Sequence, residues 1–92
     1  MELINVELKD TVGLMNSDNY KKRFQAEYLQ TKIRYDKLCN MLIKLEAETL
    51  DFEPACTQAL LEDQKYYMEN YLRVLKVRAE IEDIELVAVF EA

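Results

Sequence analysis

Lys21, Lys22 and Arg23 follow Tyr20 directly, and Lys32, Arg34 and Tyr35 come about three helical turns later. Lysine and arginine hold phosphate oxygens, and a tyrosine ring offers a face on which a nucleobase stacks. Spaced along one helix, these residues are the candidate ligand-binding set. Packing competes for the same tyrosines, because Tyr20, Tyr28 and Tyr35 also fall in the helix's apolar stripe. The cluster gains its interest where two subunits meet and form a cleft that neither has alone.

Other chemistry finds little support. There is no histidine, no glycine-rich phosphate loop and no clustered cysteine pair for zinc, so no enzyme, metal site or cofactor is expected. The carboxylates Glu80, Glu82, Asp83 and Glu85 read as a solvated helix end. With Asp63 and Glu69 they also define an acidic C-terminal third that could imitate nucleic-acid phosphates, though Lys76 and Arg78 interrupt it. Twelve basic residues against eighteen acidic ones leave a net charge of -6, which argues against duplex DNA as a partner. No apolar run reaches the ~20 residues of a membrane span and no secretory signal is visible, so a cytoplasmic location is expected. Cys39 and Cys56 should lie more than roughly 7 Å apart in a hairpin and remain reduced thiols.

The elements that must carry these residues are helical. Half the residues are hydrophobic and a third are charged, which describes a globular chain, and 92 residues suit one domain. One glycine and one proline exclude a turn-rich sandwich or barrel. Tyr20, Phe24, Tyr28, Tyr35, Leu38, Leu42 and Leu45 recur at steps of three and four, predicting one long helix over 16–50, with its start among Asn16, Ser17 and Asp18. If Asn16 is the cap, Met15 and Tyr20 occupy the positions of a hydrophobic staple. Asp51, Phe52 and Pro54 mark a connector over 51–56, with Phe52 placed to plug the hairpin's open end and Pro54 suited to a first helical turn. A second helix follows over 57–83, its stripe formed by Leu60, Leu61, Met68, Tyr71, Leu72, Leu75 and Ala79. Glu69–Arg73, Lys76–Glu80 and Arg78–Glu82 are spaced as four-residue ion pairs.

The termini are less regular. Residues 1–15 read as a strand or turn segment, with Asp10 able to cap a short turn from Thr11 to Leu14. Ile84, Leu86, Ala88 and Phe90 alternate, so 84–92 is a tail that can form a strand and pair with residues 2–8. The expected fold is thus mainly all-α, a long antiparallel helical hairpin that assembles into an oligomeric bundle.

Assembly is expected because two helices share a single seam, and Leu29, Ile33, Tyr66, Tyr67, Val74, Val77 and Ile81 fall outside it. Apolar surface of that extent marks contact with a second chain, either another copy or a host protein. For Leu29 and Ile33, cover by the chain's own termini is the equal alternative.

Several stretches resemble a known family. Tyr20-Lys21, Arg23-Phe24, Ala26-Glu27-Tyr28, Arg34-Tyr35 and Lys37-Leu38 match its first half. Thr49-Leu50-Asp51-Phe52, Pro54, Cys56, Leu60-Leu61, Gln64, Met68, Tyr71-Leu72 and Arg78-Ala79-Glu80-Ile81-Glu82 match its second. The family comprises small helical proteins of phages, prophages and mobile elements of Firmicutes, related to a crAss-like phage protein. The resemblance covers roughly residues 10–86 and brings no catalytic residues. Glycine often stands in the family where this chain has Glu48, and proline where it has Thr57. The first helix should therefore run further here, and Thr57 should cap the second.

The resemblance implies a phage-type accessory protein working in the host cytoplasm. With the apolar surplus, it makes a counter-defence or host-takeover inhibitor that blocks a host protein the leading expectation. An oligomeric sponge for a cyclic-nucleotide or related immune signal is the alternative, and a structural or assembly protein is the third.

Overall fold

The computed structural model describes residues 6–86. Within them the chain forms a 3-10 turn at Leu8–Thr11 and three helices: α1 (Val12–Met15), α2 (Tyr20–Glu46) and α3 (Gln58–Glu82). No strand occurs among the described residues. Leu8 opens the 3-10 turn, so it is not part of a strand, and Ile84 and Leu86 follow α3 in irregular conformation. The pairing of residues 2–8 with 84–90 otherwise concerns residues outside those described.

α2 is a single uninterrupted helix of 27 residues. It starts later than expected because Asn19, not Asn16, is the cap. Its side-chain oxygen accepts from the Lys21 N–H at 2.9 Å, and the Asn19 N–H itself donates to Ser17 Oγ at 3.1 Å. The turn between α1 and α2 therefore absorbs all three expected cap residues. With the cap at Asn19, Met15 and Tyr20 no longer stand at the staple positions.

The far end of α2 departs from expectation in the opposite sense. The helix stops at Glu46, and Glu48 adopts φ 60 in the left-handed region. The Thr49 N–H reaches Lys44 O at 2.8 Å and the Glu48 N–H reaches Leu45 O at 3.2 Å. This is a Schellman closure with glutamate in the position that glycine usually fills. The missing glycine thus does not lengthen the helix; the side chain accepts the strained backbone instead.

The connector consequently runs from Ala47 to Thr57, longer than 51–56. Phe52 is 56% exposed and does not plug the hairpin, and Pro54 stands before the helix instead of in its first turn. Thr57 caps α3 as expected, its Oγ1 accepting from the Leu60 N–H at 3.2 Å. At the other end Asp83 takes φ 57, and the Ile84 N–H closes on Ala79 O at 2.8 Å. Ile84 then folds back into the core, the apolar contact that accompanies such a closure.

α2 and α3 pack as an antiparallel hairpin. Tyr35 of α2 donates its hydroxyl to Glu69 of α3 at 3.1 Å near mid-length. At one end Lys21 Nζ donates to Asp83 O at 3.3 Å, and Gln25 Nε2 to Glu85 O at 2.7 Å. The core is one cluster of Phe24, Tyr28, Leu29, Leu72, Leu75, Ala79 and Ile84, with Leu14, Tyr35 and Leu86 packed against it.

Leu29 falls outside the hairpin seam, yet it is fully buried and is not part of an open interface. The turn at Leu8–Thr11 and α1 lie against α2 and cover this side. Thr11 anchors the cover: fully buried, it donates Oγ1 to Leu8 O at 2.7 Å and accepts from Gln30 Nε2 at 2.8 Å. Ile33, one turn on, is half-buried. The equal alternative, cover by the chain's own terminus, is the one realised on this face.

Candidate functional site

The basic and aromatic residues of α2 separate into three groups. Lys21 and Arg23 serve the fold. Lys21 binds the carbonyl at the C-terminus of α3, where the helix dipole favours a cation, and Arg23 donates to Ser17 O at 2.7 Å. Tyr20 is half-exposed and Lys22 exposed at this same end. Arg34 is exposed, and two helical steps of ~100° carry it to the far side of α2 from Lys32.

Lys32 and Tyr35 come together. They line a groove along the hairpin seam with Glu69, Leu72, Arg73 and Lys76 of α3. Lys32 Nζ lies 5.8 Å from the centre of the Tyr35 ring and 2.8 Å from Asp36 Oδ1. The Tyr35 phenol is held well above its ordinary range, first by the neighbouring Cys39 thiol, then by burial and by the Glu69 carboxylate. It therefore remains a neutral donor. Burial likewise raises the Tyr28 phenol.

The ion pairs that the spacing predicts for Arg73 with Glu69 and for Lys76 with Glu80 do not form. Glu69 turns to Tyr35 instead of Arg73. Among the described residues the ion pairs are Lys9–Glu7, Lys32–Asp36 and Arg78–Glu82, the last at 2.9 Å as expected. Arg73 and Lys76 are thus available to a ligand in the groove. The signal in the sequence was the hairpin register, which sets residues near 69–76 opposite residues near 32–35.

The groove gathers three cations, one carboxylate and a phenol around the aliphatic floor of Leu72. Cations can grip phosphate, the Tyr35 ring can stack, and Glu69 can accept from ribose hydroxyls or base amino groups. A second groove, at the connector, is lined by Lys37, Asn40, Met41, Lys44 and Phe52 among others, and carries two cations without an opposing aromatic hydroxyl. No group of three or more metal-ligating side chains occurs among the described residues.

The expected interface residues on α3 are open to solvent. Tyr66, Tyr67, Val74, Val77 and Ile81 are all exposed, Ile81 to 77%. Tyr66 and Tyr67 meet edge to face, with ring centres 5.4 Å apart. Cys39 is half-buried and Cys56 exposed, both free thiols. No described helix is long and apolar enough to cross a membrane.

Fold and groove together define a small helical-hairpin protein with a cationic, tyrosine-bearing seam. The chain matches the Sequestin family over residues 18–81, which takes in both long helices almost entirely, and it belongs to that family. No curated protein and no solved structure matches it.

Proposed function

We propose that this chain is a non-catalytic binding protein that sequesters a small anionic ligand of the nucleotide class. The carrying observation is that Lys32, Arg73 and Lys76 line one groove with Tyr35 in an otherwise acidic chain. The family's name denotes sequestering and agrees with this reading. A phage or mobile-element chain that withholds a cyclic-nucleotide or related immune signal from the host's receptor would act as a counter-defence protein in the host cytoplasm. Holding needs affinity alone, so the groove requires no general base, nucleophile or metal.

Calorimetry against a panel of cyclic mono- and oligonucleotides tests the proposal. One member should bind with saturable heat, and Lys76→Glu should weaken it about tenfold or more, the size of one charge-assisted contact. Tyr35→Ala should weaken it as well through the lost stacking face. Absence of heat with every member, or binding untouched by both changes, disposes of the reading. A second reading, blockade of a host protein, rests on the exposed apolar row of α3.

A further inference from the structure

The outer face of α3 carries a coiled-coil seam. Leu60, Asp63, Tyr67, Asn70, Val74, Val77 and Ile81 succeed one another at alternating steps of three and four. The helix already buries Leu72, Leu75 and Ala79 against α2 on its other side. Leu60, Tyr67, Val74, Val77 and Ile81 are all exposed, so the second stripe is not an extension of the core.

We infer that the C-terminal half of this seam, Asn70 to Ile81, pairs with the same stretch of α3 in a second copy of the chain, antiparallel, with Val74 of each copy against Val77 of the other. The charges beside the seam select that arrangement. With Tyr67, Val74 and Ile81 as one set of seam positions, Tyr66, Arg73 and Glu80 flank it on one side, and Gln64, Tyr71 and Arg78 on the other. Parallel pairing sets Arg73 against Arg78. The antiparallel register centred between Val74 and Val77 sets Arg73 of each copy against Glu80 of the other, twice by symmetry. Sliding by one heptad in either direction brings Arg73 to Arg73 or Glu80 to Glu80. Asn70 then lies at the ends of the apolar centre, with its amide already donating to Tyr66 O at 2.8 Å. The pairing does not depend on the ligand reading, although Arg73 places the second copy at the rim of the groove.

Sedimentation of the full chain without ligand tests this. The wild type should give twice its 10.9 kDa mass. Val77→Asp, whose side chain has no place in the hairpin core, should give the single mass with unchanged helicity. Arg73→Glu and Glu80→Arg should each weaken the pair about tenfold, and an equimolar mixture of the two variants should pair again. A single-chain mass for the wild type overturns the inference, whether or not the face is taken by a host protein. So does a doubled mass indifferent to Val77→Asp. Tightening by Arg73→Glu, or no effect of either charge reversal, overturns the antiparallel register.

Discussion

Glu48 and Asp83 perform the same task at the ends of the two long helices, and both do so with φ near 60. A side chain in that region crowds its own backbone, at roughly 1 kcal/mol relative to glycine. Glu48→Gly should therefore stabilise the protein by about 1 kcal/mol in a denaturant titration, with the helical signal unchanged. At Asp83 the left-handed turn is matched by Lys21, whose ammonium meets the terminal carbonyl. Asparagine, aspartate and glycine enter this region most readily, so glutamate at 48 is the more strained of the two. The phenols give a pH signature at the same scale. Tyr28 and Tyr35 are raised above the ordinary value of 10.0. The unfolded chain therefore loses these protons first, and the stability they contribute is complete below about pH 10 and declines as pH rises further. A near-ultraviolet titration should find phenol ionisation extending above pH 10, and Tyr35→Phe should remove part of that late signal.

At the scale of the element, α2 and α3 each have an outer side that the sequence presents in the same way. Leu29 and Val74 were equally apolar and equally outside the shared seam, yet Leu29 is fully buried and Val74 is 43% exposed. Leu29→Ala should cost about 2–5 kcal/mol, the range for a filled core position, whereas Val74→Ala should change the stability of the single chain by less than about 0.5 kcal/mol. Chemical denaturation of the two variants at low protein concentration checks the contrast. Periodicity made the long helices and their antiparallel return legible, because steps of three and four admit no other regular element. It could not reveal which segment covers Leu29, since that depends on Thr11 reaching Gln30 across nineteen residues. Helix ends were misplaced for a related reason. Asn16, Ser17, Asp18 and Asn19 are all good cap types, and only the path of the preceding turn chooses among them. Half of the groove was visible as Lys32 and Tyr35; the other half needed the register of α3, which no local pattern supplies.

At the scale of the molecule, the hairpin leaves two unlike surfaces open. One is the cationic groove at its seam, and the other is the apolar outer row of α3. The first is suited to a small anion and the second to a helix. In this account the protein acts by retention, and a retained ligand must come back unchanged. The most direct measurement is therefore equilibrium dialysis of the protein against the nucleotide that binds it, followed by denaturation and mass analysis of what is released. Ligand should be retained in fixed proportion to chain and recovered whole. Recovery of a cleaved or modified nucleotide, or no retention of any nucleotide tried, would contradict it.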